Sequence, residues 1–162
     1  GLALQEGSTL KTQPCELILT TEENIDINRI NSYKNEWKIR VIVGPEFTLL
    51  TDESQETVFK SNYLVTNDTS RMGTRIEGIN LQFDNKCHML SAPVNTGTIQ
   101  CPENGLPIIL GCDGQTLGGY PRILQIAEID HPLIGQLRPN DKISFINITI
   151  EEASRQLENI WL

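Results

Sequence analysis

Residues 112–122, CDGQTLGGYPR, combine polar side chains with three glycines in a stretch that has little to bury. Those polar side chains are the acid Asp113, the amide Gln115 and the hydroxyl Thr116. Polar groups beside exposed glycine backbone are typical of sites for small polar ligands. The alternative is a long turn in which Asp113 caps, Gly118 and Gly119 adopt positive φ, and Tyr120 packs. The residues alone leave both interpretations open.

Two further segments carry groups that could face the same ligand. In TSRMGTR, residues 69–75, Arg71 and Arg75 are four positions apart, so both face one side of an extended chain. Such a pair can clamp a carboxylate or a phosphate; the alternative is a solvated strand edge or an ion pair with an acid such as Glu77. Gln100 precedes a Pro-Glu-Asn-Gly turn, and its amide could equally point outward from a hairpin.

The sequence lacks the motifs of several other common catalytic and metal-binding sites. A G-x-x-x-x-G-K-[ST] phosphate loop, an H-E-x-x-H motif and a C-x-x-C pair are all absent. The two histidines are His88 and His131. Cys87 and His88 are adjacent, so on a strand they would face opposite sides and could not form a dyad. The sequence predicts no metal site and no hydrolytic triad.

Composition narrows the class of partner. The chain has 162 residues, a formal net charge of -8 and a pI of about 4.7, so nucleic acid and anionic membrane surfaces are unfavourable partners. It contains neither a recognisable signal peptide nor an apolar run of about 18 residues. We therefore expect a cytoplasmic protein with free, buried thiols at Cys15, Cys87, Cys101 and Cys112.

The elements that must position these groups are mostly strands. Short runs rich in branched and aromatic residues, separated by turn residues, indicate a barrel or a sandwich. They occupy residues 15–21, 36–44, 61–66, 79–84, 106–111, 122–129 and 141–148. Helices are expected at 51–60 and 130–137, and after a capping box formed by Thr149 and Glu152. An apolar stripe should dock this last helix, and it consists of Ile150, Ala153, Leu157, Ile160 and Trp161. We expect one domain over residues 1–162.

Three long motifs resemble one known family. SRMGTRIEG, GTIQCPENGLPIILGCDGQTLGGYPRI and LIGQLRPNDKISFINITIEEA follow one another with matching order and spacing. They resemble the family of the C subunit of 5-oxoprolinase, also called allophanate hydrolase subunit 2 or biotin-dependent carboxyltransferase-like, which includes Kip-type antagonists. The resemblance implies a mainly β fold, a cyclophilin-like β-barrel with a few short helices and a C-terminal helix. It also implies that the chain corresponds to the C-terminal half of a longer subunit.

For function, the resemblance implies ATP-dependent hydrolysis of 5-oxo-L-proline to L-glutamate, with ATP and Mg in a complex of A, B and C subunits. The chain alone would be inactive. Residue chemistry at the matching motif positions gives catalytic roles to Arg71, Asp113 and Gln115. Substrate-binding roles fall to Arg75, Gln100, Thr116, Gly118, Gly119 and Tyr120.

The resemblance has one departure and two alternatives. The family commonly has Arg where this chain has Gly114. One alternative is the carboxyltransferase component of a biotin-dependent urea carboxylase or amidolyase; the sequence has no Met-Lys dipeptide, so biotin would sit on a partner chain or domain. The other is a non-catalytic regulatory module that binds a B-subunit homologue of the Kip kinase-inhibitor type.

Overall fold

The computed structural model describes residues 5–11, 34–85 and 89–158. The chain divides into two units, Gly1–Ser32 and Tyr33–Leu162, and every helix and strand below belongs to the second. In the first unit, Ser8 N donates to Gln5 O at 3.0 Å. The strand expected at 15–21 lies outside the described residues, as do Cys15, Cys87 and His88. The expectation of a single domain over 1–162 stays a prediction.

Seven strands close into a barrel. The strands are β1 Glu36–Val43, β2 Tyr63–Ser70, β3 Gly73–Glu77, β5 Thr98–Gln100, β6 Ile108–Leu110, β8 Arg122–Ile126 and β9 Lys142–Asn147. Their order around the barrel is β1, β8, β5, β6, β3, β2 and β9. β1 pairs with β9 in parallel, and the other barrel pairs are antiparallel. A separate two-stranded sheet joins β4 Ala92–Pro93 to β7 Leu117–Gly118.

The barrel forms because apolar residues alternate along its strands. In β1 the inward side chains are Trp37, Ile39 and Val41, each at most 6% exposed, and they lie beside Ile143 and Phe145 of β9. Alternation with a period of two sends these side chains to one face. The expected mainly β barrel is confirmed. The expected strand over 79–84 is wrong: apart from one bridge between Leu50 and Phe83, this backbone bonds to loop residues and to the side chain of Ser54.

Three short α-helices lie outside the barrel in the described part of the chain. They are α1 Asp52–Lys60, α2 His131–Ile134 and α3 Ile150–Glu158. Thr51 caps α1 by accepting from Ser54 N at 3.2 Å. No described helix has the length and apolar character needed to cross a membrane.

The final helix begins as the capping box predicts. Glu152 N donates to Thr149 Oγ1 at 3.1 Å, and Thr149 N donates to Glu152 Oε2 at 2.9 Å. Ala153 and Leu157 of the expected apolar stripe are half-buried, whereas Ile150 is 63% exposed. The rest of the stripe, 160–161, lies outside the described residues.

Candidate functional site

The segment 112–120 leaves the barrel after β6 and returns to it at β8. An ion pair connects the start of this segment to the turn between β2 and β3. Arg71 Nε donates to Asp113 Oδ2 at 2.5 Å, and Arg71 Nη2 donates to Asp113 Oδ1 at 3.0 Å. Asp113 N also donates to Arg71 O. The hydrogen bond from Arg71 lowers the pKa of Asp113. Arg71 and Asp113 thus bind each other at the surface.

Gly118 and Gly119 do not adopt the positive φ expected for a long turn. Among the described glycines, positive φ occurs at Gly7, Gly97 and Gly105. Gly118 is instead required by close approach, because a Cβ there would lie 2.5 Å from Gln100 Nε2. β7 therefore runs directly over the amide of Gln100.

Gln100 is the buried polar residue of the site. Gln100 is the last residue of β5 and lies at a register shift against β8. The residue is 1% exposed. Nε2 donates to Tyr120 O at 3.1 Å, and Oε1 accepts from Gln115 Nε2 at 3.3 Å. The outward amide of the hairpin alternative is therefore wrong. Among the described residues the second N–H of Gln100 has no acceptor, so it can donate to a ligand.

A cleft of about 230 Å³ joins four of the expected site residues: Arg75, Gln100, Gln115 and Tyr120. The other lining residues are Asp68, Ser70, Met72, Gly73, Ile108 and Leu110. The remaining expected residues, Arg71, Asp113, Thr116, Gly118 and Gly119, do not line it. The cleft therefore combines one guanidinium with two primary amides, which suits a small molecule that carries both an acid and an amide.

Asp68 is a cleft residue that the sequence reasoning missed. Arg75 Nε lies 2.6 Å from Asp68 Oδ2. The sequence suggested Glu77 as an example of an acid for such an ion pair, but the observed partners of the two arginines are Asp68 and Asp113. The sequence did contain a signal, because Asp68 is an acid two residues before Ser70, where a strand ends. Its position beside Arg75 follows only from the observed strand register.

A larger cavity of about 440 Å³ lies on the other side of Tyr120. Its walls are Phe83, Met89, Cys101, Pro102, Glu103, Asn104, Gly119, Tyr120 and Pro121. Glu103 is the charged residue among them. Gly119 thus meets a cavity, but not the one that holds Arg75.

The two described cysteines, Cys101 and Cys112, differ in burial. Cys101 is buried, and burial raises the pKa of its thiol to about 12. Cys112 is exposed, so the prediction that all four thiols are buried is wrong at this position.

Neither of the two cavities fits ATP with Mg. A triphosphate needs several cationic or backbone N–H donors, whereas the two cavities offer one cation, Arg75, beside the acids Asp68 and Glu103. Within 5–11, 34–85 and 89–158, no group of three His, Cys, Asp or Glu residues could hold a metal ion.

Comparison with known proteins supplies the family. The model of the family described as "Carboxyltransferase domain, subdomain A and B" matches residues 1–147. The chain belongs to this carboxyltransferase domain family. The resemblance of the three sequence motifs is thereby confirmed.

Relatives with assigned names include the C subunit of 5-oxoprolinase. The protein of that name from Escherichia coli is 36% identical over 116 residues, which are 72% of this chain and 37% of that protein. The one from Haemophilus influenzae is 32% identical over 155 residues, 96% of this chain and 48% of that protein. The chain spans less than half the length of both relatives.

The fold of this chain is also similar to part of an enzyme of known structure. The crystal structure of the K. lactis urea amidolyase superposes with a TM-score of 0.73 and 28% identity, over 79% of this chain and 8% of that one. The chain is therefore similar both to the C subunit of 5-oxoprolinase and to part of urea amidolyase.

Proposed function

We propose that this chain is part of the C subunit of a 5-oxoprolinase and provides the cleft that holds 5-oxo-L-proline. One observation carries the proposal: Arg75, Gln100 and Gln115 line one small cleft. 5-Oxo-L-proline carries one carboxylate and one ring amide, which are the groups that a guanidinium and primary amides bind.

The side chains divide the work. Arg75 holds the carboxylate of the substrate and fixes its orientation. The spare N–H of Gln100 donates to the ring carbonyl, and Gln115, whose side chain is exposed, turns to bind the ring N–H through its Oε1. During hydrolysis negative charge develops on the carbonyl oxygen, and the N–H of Gln100 that donates to this oxygen stabilises the charge. Arg71, Asp113 and Thr116 act indirectly, by fixing the loop.

ATP and Mg are assigned to the partner subunits in this proposal. The poor fit of both cavities to a triphosphate supports the assignment. The name of the relatives, which makes them one subunit of an enzyme, supports the presence of other subunits. We propose that these are the A subunit and a Kip-type B subunit. The chain alone would then be inactive.

The test is reconstitution of the full-length protein with its A and B partners, followed by measurement of ATP-dependent glutamate formation from 5-oxo-L-proline. We expect turnover only with all three present. Arg75→Met should raise KM about 10- to 100-fold, since hydrogen bonds to charged groups contribute about 1.5–3 kcal/mol. Arg155→Met removes the same charge from an exposed position on α3 and is the matched control. Absence of glutamate with all three proteins present would refute the proposal.

A second function is favoured by the family model and by the similarity to urea amidolyase. In it, the same cleft binds the carboxyl group that is transferred from a biotin carried by a partner. Activity would then be blocked by avidin. An assembly that forms glutamate and is insensitive to avidin would exclude this alternative.

A further inference from the structure

A β-bulge places Asp68 against the arginine of the cleft. Val65 pairs with Ile76 and Thr69 pairs with Thr74, so three residues of β2 lie opposite one residue of β3, Arg75. Bulges beside functional sites re-aim side chains. This one turns the carboxylate of Asp68 toward the guanidinium of Arg75.

The bulge is held by its own hydrogen bonds. Thr66 Oγ1 donates to Arg75 O at 3.1 Å and accepts from Asp68 N at 3.2 Å. The backbone of Arg75 therefore keeps a partner where the regular ladder is interrupted. The position of Asp68 is set by the backbone and does not depend on its ion pair.

The ion pair itself contributes little to stability. Its side chains are 54% and 76% exposed for Arg75 and Asp68. Exposed pairs contribute little to the free energy of unfolding, because water and salt screen them. A ligand can therefore displace Asp68 at small cost, and both residues line the cleft with Gln100 and Gln115.

We propose that Asp68 is a displaceable counter-ion that occupies the carboxylate position on Arg75 and selects ligands with a single carboxylate. The inference rests on the proposed function, which it deepens. A displaced Asp68 stays at the cleft, where its charge repels a second carboxylate. Hydrolysis of 5-oxo-L-proline turns one carboxylate into two, so the return of Asp68 to Arg75 favours release of glutamate over retention of substrate.

The test is titration of the full-length protein by calorimetry with 5-oxo-L-proline, its neutral carboxamide, succinate and acetate. Asp68→Asn should bind 5-oxo-L-proline about two- to fivefold tighter. The substitution removes the carboxylate that competes for Arg75, and that competition is worth up to about 1 kcal/mol. Succinate, with two carboxylates, should gain more, and the neutral carboxamide should not change. Glu56→Gln is the matched control, because it removes one charge from an exposed ion pair with Lys60 outside the cleft.

Two results separate this inference from the proposed function. If neither protein binds 5-oxo-L-proline but Asp68→Asn binds acetate more tightly than the wild type, the substrate is wrong and the counter-ion role stands. If the affinity for the monocarboxylates is unchanged or lower in Asp68→Asn, or changes equally in Glu56→Gln, the counter-ion role is overturned.

Discussion

Gly118 and Gly119 are neighbours, yet a methyl group at each meets different surroundings. At Gly118 it would lie 2.5 Å from Gln100 Nε2, whereas at Gly119 the nearest atom, Ser91 Oγ, is 4.0 Å away. The two glycines therefore differ in function although the sequence presents them as a pair.

Gly118→Ala should displace the amide of Gln100 and break its hydrogen bond to Tyr120 O. We expect the free energy of unfolding to fall by about 1–3 kcal/mol, the cost of a buried polar group without its partner, and ligand binding to weaken. Gly119→Ala should stay within about 0.5 kcal/mol of the wild type. Urea unfolding of both variants measures the difference, and equal losses would contradict the proposed contact.

Gln100 itself can be tested by Gln100→Met, which keeps the length of the side chain and removes its polar atoms. The carbonyl of Tyr120 then loses its donor, so we expect a loss of about 1–3 kcal/mol in the free energy of unfolding. Gln115→Met removes the other partner from an exposed position and should cost less than about 0.5 kcal/mol. A larger loss for Gln115→Met than for Gln100→Met would refute this ranking.

At the scale of elements, a contact from the barrel holds the small sheet of β4 and β7 in place. Arg122 on β8 provides it, because Nη1 donates to Pro93 O at 2.9 Å while Nε and Nη2 donate to Glu46 at 2.8 and 2.6 Å. The glutamate and arginine side chains are 16% and 22% exposed. Arg122 thus holds β4, the strand that pairs with β7 over Gln100.

This fastening should depend on pH. The hydrogen bond from Arg122 lowers the pKa of Glu46 from its ordinary value of 4.5. The unfolded chain therefore binds the proton more readily, so the contribution to stability is present above about pH 4.5 and is lost as the pH falls through the lower folded value. Glu46→Gln should cost about 1.5–3 kcal/mol at pH 7 and progressively less below about pH 4.5. Arg122→Met should abolish the same pH dependence, and an unchanged acid profile in either variant would contradict this account.

The last helix offers a test of an element that the sequence predicted by itself. Thr149→Ala removes the acceptor for Glu152 N and should destabilise α3 by about 1 kcal/mol. Thr149→Ser keeps the hydroxyl and should have little effect. Hydrogen exchange at the first turn of α3 measures the change, and equal exchange in the two variants would exclude a role for the cap.

At the scale of the whole molecule, the closed barrel separates the two described thiols. Cys101 is 0% exposed and Cys112 is exposed, so we expect a thiol reagent to label Cys112 within minutes and Cys101 only at the rate of global unfolding. Peptide mapping by mass spectrometry distinguishes the sites. Comparable labelling rates at both would show that the barrel opens locally around Cys101.

The sequence by itself determined the local features and the family. Short runs of branched and aromatic residues predicted five of the seven barrel strands, all except β3 and β5. The residues that cap helices predicted the starts of two helices at Thr51 and Thr149, and three long motifs identified the family. Each of these depends on residues close together in the chain, where propensity and spacing suffice. The strand expected at 79–84 failed because loop and helix contacts, not a neighbouring strand, bind that backbone.

Only the tertiary structure decided which of the polar residues share a cleft. Arg71 and Arg75 are equivalent in sequence, but register shifts and loop contacts send Arg71 to Asp113 and Arg75 to Asp68. Gln100 is buried because β7, which pairs with β4 outside the barrel, lies over its amide, a contact between residues that are not neighbours in the chain. Strand register and barrel closure are set by the sum of many distant contacts, which no local pattern in the sequence records.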